Sequence, residues 1–374
     1  MVPFLSFLCF AAWVYLIGFR GRFWRSSPEL GAGTPCAAAR VVAVVPARDE
    51  AAHIRRSLSS LLAQNYSGEF SVVLVDDNSL DGTAAIAASL GSCPRLDIVA
   101  GRPLPPGWSG KLWAVHQGLS HPRALAADYL LLTDADIEHA PGHLSSLLAK
   151  AESAGFDLVS AMVRLHCNTA AERALIPAFV FFFQMLYPFA WAADPAHDLA
   201  AAAGGTILVS RAAIERIEGV TRIRGELIDD CALARAVKST GGYIWLGHSS
   251  QARSMRVYCD WREIWNMIAR TAYVQLGCSP FLLVGCLAGM GMLYVAPPML
   301  AACAHGVARL GGLLAWAGMS VAFQPTLRRY RRTPLWGIAL PLIALFYLGA
   351  TLASARRHHA GRGGGWKNRV YPAP

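Results

Sequence analysis

Charge is what this chain has least of. Charged residues fill 16% of its 374 positions, against about a quarter in ordinary soluble domains. Hydrophobic residues fill 54%, and the mean hydropathy is +0.36. That balance excludes an entirely soluble globular protein and points to membrane segments. Acidic residues are the scarcer sign, 24 against 34 Lys and Arg, for a formal net charge of +10. The basic residues sit partly beside the apolar runs, so anionic lipid head groups account for them better than nucleic acid does. Paired cysteines are missing as well. The nine cysteines are scattered, with no C-x-x-C and no zinc spacing, and several lie inside apolar runs, where they read as reduced packing residues. No internal repeat or low-complexity tract is present, and the length allows one large domain plus membrane elements.

What the chain does have is a row of apolar runs that stop at ionisable clusters. Tyr129-Leu130-Leu131-Leu132 ends in Thr133-Asp134-Ala135-Asp136. A short continuous apolar run is the signature of a strand buried on both faces. Ligands of open α/β sheets bind beyond the carboxyl ends of such strands. Two carboxylates one residue apart at that end suit a hard cation, Mg2+ or Mn2+, shared with a diphosphate. Alone, D-x-D also reads as an aspartate capping a helix.

The neighbouring segments repeat the pattern. Val41–Val45 ends in Pro46-Ala47-Arg48-Asp49-Glu50, and Phe70–Val75 ends in Asp76-Asp77-Asn78-Ser79. Ile54, Leu58, Leu61 and Leu62 recur at helical spacing between them, and Leu96–Ala100 is a further short strand. The loop from Gly101 to Gly110 leads to Lys111 and another helix. Strands alternating with helices predict an α/β domain with a mainly parallel sheet. One polar strand end is often a cap. Three in register suit a nucleotide site at the sheet's edge.

Together, the segments Pro46–Glu50, Val75–Thr83 and Thr133–Asp136 resemble family 2 glycosyltransferases of the GT-A fold, a Rossmann-like α/β architecture. Gly107-Trp108-Ser109-Gly110-Lys111 and the ending Trp366-Lys367-Asn368-Arg369-Val370-Tyr371 narrow the resemblance. They are similar to the membrane-bound branch that includes ceramide glucosyltransferases, and most of all to hopanoid-biosynthesis-associated glycosyltransferases. The resemblance implies an inverting transfer of a sugar from a nucleotide donor, a UDP-sugar, to a lipid or lipid-linked acceptor such as a hopanoid.

The resemblance also implies site residues. Ala47, Arg48 and Glu50 match the nucleotide-holding motif, with Asp49 standing where the family often has Asn. Asp77 matches the carboxylate on uracil or ribose, and Lys111 a lysine near the diphosphate. Asp134 and Asp136 match the metal-binding pair, Asp136 as the direct ligand of a divalent cation and Asp134 nearer the ribose and metal. Gly204 and Gly205, in Ala201–Ser210, match an acceptor-side loop, and Trp366 and Arg369 are placed on the acceptor side too. Asp229-Asp230 with Leu233 match the acidic-pair motif. Asp230 is read as the catalytic base, and Asp229 as the residue that positions the acceptor or caps the helix.

The apolar segments complete the reading. Pro3–Phe19 is followed, not preceded, by Arg20, Arg22 and Arg25, which predicts an uncleaved anchor with its C-terminal flank in the cytoplasm. Ala174–Ala193 is long enough to span a bilayer. A single crossing there would put Asp229-Asp230 on the opposite side from Asp134 and Asp136, and Pro177, Gln184 and Pro188 interrupt it. A helix lying in the interface is therefore expected. Cys259–Leu276 is amphipathic and resembles the helix that carries Q-x-x-R-W in relatives. Arg270 matches its arginine and is expected to clamp the diphosphate, while Met267 and Thr271 replace Gln and Trp. Three apolar runs follow, Pro280–Ala304, Leu310–Phe323 and Leu335–Ala353. Positive charge favours the cytoplasm on both sides of the last run, so that run is expected to be re-entrant or interfacial.

The expected organisation is an anchor at residues 1–25, a cytoplasmic catalytic domain at 40–254, an interfacial helix at 255–279, membrane helices at 280–354 and a basic cytoplasmic tail at 355–374. That describes a multi-pass protein of the inner membrane. A processive polysaccharide synthase would need more membrane helices and an intact Q-x-x-R-W. A membrane protein that only binds nucleotide-sugars would not need Asp230.

Overall fold

The computed structural model describes residues 1–91, 93–363, 365–366 and 369–370. Eight strands form the central sheet: β1 (Val41–Ala47), β2 (Phe70–Asp76), β3 (Leu96–Ala100), β4 (Tyr129–Thr133), β5 (Ile137–His139), β6 (Leu158–Arg164), β7 (Thr206–Ser210) and β8 (Ile244–Ser254). Their order is β3-β2-β1-β4-β7-β6-β8-β5. The four strands read from the first part of the sequence are β1 to β4, and these are parallel neighbours in the order β3-β2-β1-β4. Every residue of β1 is buried, which is why its sequence shows no alternation. Val42 and Val44 face the helix Gly110–Leu119, while Val41, Ala43 and Val45 face the helix Ile54–Leu62. The first of these helices lies so close that a Cβ on Gly118 would fall 2.4 Å from Val44 Cγ1.

The parallel pattern breaks at β7, which runs antiparallel to both β4 and β6. The reason is the route of the chain. β6 ends on the same edge as β1 and β4, and residues 165–205 stay at that edge. The chain therefore re-enters the sheet from that end, with Thr206 opposite Thr133, and needs no crossover. β8 is parallel to β6 and delivers its own C-terminal end to the same edge, where Ser254 faces Ile137 of β5. Both halves of the mixed sheet thus present strand ends to one cleft.

Residues 165–205 carry the apolar segment that sequence placed in the lipid interface. It forms a helix, Ala170–Leu186, broken at Tyr187-Pro188 and resumed at Phe189–Ala193. Much of the helix is buried in protein: Ile176, Ala178, Val180 and Phe181 are fully inaccessible, while Leu186 is exposed. Helices from later in the chain cover it. Tyr347 Oη donates to the Leu175 carbonyl at 2.9 Å, and Phe181 packs on Phe323 with ring centroids 5.1 Å apart. A capping box between Thr169 and Glu172 starts it. The buried Glu172 carboxylate also accepts from the Tyr258 amide at 2.7 Å, which fixes the segment leaving β8.

Three helices are long and apolar enough to cross a membrane: Val2–Phe19, Pro280–Cys303 and Gly306–Arg329. The first and third run in the same direction. Ser6 Oγ donates to the Ala308 carbonyl at 2.8 Å near their beginnings, and a Cβ on Gly318 would approach Ile17 near their ends. The second runs back against them, with Trp13 Nε1 donating to the Leu293 carbonyl at 2.9 Å. Arg329 donates both Nη nitrogens to the Glu29 carboxylate, tying the end of the third helix to the segment that follows the first. The last helix, Leu340–His359, is not among the three. It lies along the amphipathic helix Trp261–Gln275, where Tyr273 N donates to Ser354 Oγ at 3.0 Å and Trp265 fills the space beside Gly349.

Candidate active site

The first strand ends are woven into one surface. Asp77, fully buried, donates its amide to the Ala47 carbonyl at 2.8 Å. Arg48 Nη1 donates to the Asp77 carbonyl at 2.5 Å and lies 3.7 Å from the Asp77 carboxylate. The Glu50 amide donates to Thr83 Oγ1 at 2.8 Å, and the Asp49 amide to Ser79 Oγ at 3.0 Å. Asn78 and Asp49 both hold positive φ, 55° and 50°, in the left-handed region that Asn and Asp tolerate best among residues with a side chain. Ala47, Arg48, Glu50 and Asp77 therefore come together at the ends of β1 and β2.

The second group is a cluster of charge. Lys111 opens the helix Gly110–Leu119, and its Nζ lies 2.8 Å from Asp134 Oδ1 and 3.0 Å from Asp229 Oδ2. Lys111 thus bridges the D-x-D segment to the acidic pair. Burial alone would lower its pKa, but Asp134 and Asp229 outweigh it and raise the pKa above the ordinary lysine range. Asp229 and Asp230 form the first turn of the helix Asp229–Ser239, where the helix dipole favours negative charge. Asp230 makes no salt bridge among the described residues. Burial, and then the charge of Asp229, push its carboxyl up to about 6 despite Lys111. A Cβ on Gly204 would sit 3.2 Å from Asp230 Oδ2, so the lack of a side chain keeps the carboxylate approachable. Gly205 has a different duty. It packs on Val163, and its carbonyl accepts from Thr133 Oγ1 at 2.8 Å.

The third group surrounds Asp136. Its Oδ2 accepts from Arg256 Nε at 3.1 Å, and Arg256 Nη2 lies 3.0 Å from Glu50 Oε1. Sequence reading did not single out Arg256. The arginine expected near the diphosphate, Arg270, is exposed on the helix Trp261–Gln275 and makes no salt bridge among the described residues. The overlooked signal was positional: Arg256 follows the end of β8, a strand that finishes at the same edge as β4. Trp366 and Arg369 pair as two short strands, Gly365–Trp366 and Arg369–Val370, and their side chains lie outside the described residues, as do Lys367, Asn368 and Tyr371.

Two carboxylates are too few to hold a metal alone. Among the described residues no group of three or more His, Cys, Asp or Glu side chains could do so. The ion pairs of Asp134 and Asp136 run through Oδ1 and Oδ2 respectively, so each carboxylate has a second oxygen to offer. One or two carboxylates, completed by diphosphate oxygens and water, are the usual setting for Mg2+. The donor set fits a cation shared with a nucleotide.

One further contact holds the back of the cleft. Lys238, in the last turn of the helix Asp229–Ser239, points its ammonium at the carbonyls of Trp191, Ala192, Asp194 and Leu199, at 3.4, 3.0, 2.8 and 2.7 Å. At the near end of the same helix, Cys231 lies against Tyr187, whose Oη accepts from Gln275 Nε2 at 2.5 Å. The acidic pair is thereby tied to the buried apolar helix and to the amphipathic helix.

Comparison with known proteins bears on this arrangement. Residues 42–217 match the family model described as Glycosyl transferase family 2. Over 132 residues the chain is 31% identical to an undecaprenyl-phosphate 4-deoxy-4-formamido-L-arabinose transferase of Shewanella sediminis (strain HAW-EB3), covering 35% of this chain. The match spans 38% of that curated relative's length. Among solved structures, the mannosyltransferase PcManGT from Pyrobaculum calidifontis, in complex with GDP-Man and Mn2+, is similar in fold with a TM-score of 0.57. The identity is 18%, and the likeness covers 96% of this chain and 98% of that one.

Proposed function

We propose that this chain, whose residues 42–217 match the family model of family 2 glycosyl transferases, moves a sugar with inversion from a UDP-sugar to a lipid or lipid-phosphate acceptor at a membrane surface. The observation that carries the reading is Asp230. It is a carboxylate without a salt bridge, raised to about 6, open beside Gly204, and placed across Lys111 from the D-x-D segment.

The chain's residues divide the work. Asp77, Arg48 and Glu50 form the floor for the nucleotide. Asp134 Oδ2 and Asp136 Oδ1 would hold the divalent cation, which when bound supplies positive charge to the leaving diphosphate. Lys111 is itself a cation beside the same carboxylates. Asp230 takes the proton from the acceptor hydroxyl as the new bond forms. Asp229, engaged by Lys111, leaves Asp230 as the member of the pair able to do so. The link from Cys231 through Tyr187 to Gln275 supports acceptor approach from the amphipathic helix, which suits a lipid. The undecaprenyl-phosphate named in the curated relative supports a lipid phosphate, and the motif resemblance supports a hopanoid. Mass spectrometry of lipids from cells with and without the chain tests both, and a lipid profile that does not change would overturn the proposal.

The base has a pH signature. Because Asp230 must be unprotonated to act, kcat should fall as pH drops through about 6. Removing the like charge in Asp229→Asn favours the ionised Asp230 and should move this acid limb to lower pH. Lys111→Met removes an opposing positive charge and should move it higher. A limb that stays put in both variants would assign it to another group.

The three apolar helices support a multi-pass protein of the inner membrane with its catalytic domain in the cytoplasm. In that arrangement Arg328, Arg329, Arg331, Arg332 and the tail after Leu340–His359 share the cytoplasmic side. A cysteine introduced at Ala360 should then resist an impermeant thiol reagent added to intact cells, whereas Cys303, at the opposite end of the second apolar helix, should react. Labelling at Ala360 from outside would place a crossing between the two basic clusters and refute the topology.

A further inference from the structure

Arg256 is held in an unusual way for a residue on a ligand-binding edge. Its Nε meets Asp136 at 3.1 Å and its Nη2 meets Glu50 at 3.0 Å. Those two carboxylates come from the D-x-D segment and the nucleotide-holding motif, so the guanidinium closes the gap between the two halves of the donor site. The side chains of Glu50 and Asp136 are 10% and 14% exposed, while that of Arg256 is 38% exposed. The two carboxylates are thus the more buried partners, and the guanidinium they hold keeps part of its surface exposed at the strand edge.

The planar geometry of arginine gives this placement a consequence. A guanidinium carries five N–H donors in a fixed fork. Nε and Nη2 are spent on one edge, against Asp136 and Glu50. Nη1 has no partner among the described residues, and Nη2 keeps a second N–H. Those donors make up the end of the fork, the shape that binds a phosphate through two parallel hydrogen bonds. Two fixed carboxylates remove most of the rotational freedom that a long side chain would otherwise lose on binding.

Resting on the reading of this cleft as a nucleotide-sugar site, we propose that Arg256 binds the donor diphosphate directly and serves as a built-in cation there. The donor is then held even when no divalent cation is present, with metal and arginine sharing the diphosphate charge. Arg256 is a binding residue in its own right, in the place sequence reading had given to Arg270.

The test is calorimetric binding of UDP, and of GDP in parallel, to the full chain in detergent, each with EDTA or with excess Mn2+. Wild type should bind one of the two nucleotides measurably in EDTA. Arg256→Ala should weaken that binding by roughly 10- to 100-fold, the usual weight of hydrogen bonds to charged groups. The loss should be smaller in Mn2+, where the metal carries part of the charge. Arg256→Lys, which keeps the charge without the fork, should fall between. Arg253→Ala, whose side chain pairs with the outlying Glu138, should behave as wild type. An Arg256→Ala variant that binds in EDTA as well as wild type or better would overturn the proposal. So would equal losses with and without Mn2+, which would make Arg256 merely a brace for its two carboxylates. Wild type that binds only with Mn2+ would also overturn it. Binding of neither nucleotide under any condition would instead remove the nucleotide-sugar reading, and this proposal with it.

Discussion

Asp230→Asn is expected to lower kcat by about 10²–10⁴-fold, the usual worth of a general base, while UDP binding stays close to wild type. The substitution changes little else. Asparagine keeps the shape of the side chain and can still accept from the Cys231 amide, which now lies 2.7 Å from Asp230 Oδ1. What disappears is the ability to take a proton. Asp229→Asn should cost less, because Asp229 is engaged with Lys111 at 3.0 Å and is not the open carboxylate beside Gly204. Steady-state rates and donor titrations on both variants decide the matter. If Asp229→Asn is the more damaging in kcat with donor binding intact in both, the two roles are reversed.

Asp136→Asn should remove transfer altogether while the protein remains folded and membrane-bound. The expected loss exceeds about 10²-fold, since even outer-shell partners of a metal cost 10–100-fold when lost. Neutralising Asp136 takes away the charge proposed to hold the cation, and with it the ionic half of the contact to Arg256 at 3.1 Å. The geometry of that contact survives in asparagine, so a folding defect is not expected. Activity near wild type at saturating Mn2+ would show that Asp136 is not a metal ligand.

Much of this architecture was legible because burial leaves a plain trace. The strands starting at Val41, Phe70 and Tyr129 are buried apolar runs that stop abruptly at charged residues, and the stop marks the strand-end edge of the sheet. Strand direction leaves no such trace. Thr206–Ser210 would read the same run either way, and only the path of residues 165–205 reverses it. The surroundings of the helix Ala170–Leu186 are hidden from sequence for a related reason. A helix apolar all round is buried, but composition does not say whether lipid or protein surrounds it. Here Tyr294, Phe323 and Tyr347, distant in sequence, supply the cover. Arg256 escaped because the domain edge was drawn at Ser254, just short of it. Arg270 was read from its match to a motif from which Met267 and Thr271 depart.

The grip of Lys238 on residues 191–199 decides which wall of the cleft can act as a door. An ammonium has three hydrogens, and four carbonyls crowd around this one, so swinging the segment outward would strip several charge-assisted contacts at once. That wall is bolted to the far end of the very helix whose first turn holds Asp230. If the proposed lipid acceptor enters this cleft, the opposite flank is the one left to admit it, and the Lys238 contacts would hold the helix of Asp230 in place meanwhile. Amide hydrogen exchange offers a direct view of it. The 191–199 backbone should open only together with the helix Asp229–Ser239, and Lys238→Met should uncouple the two.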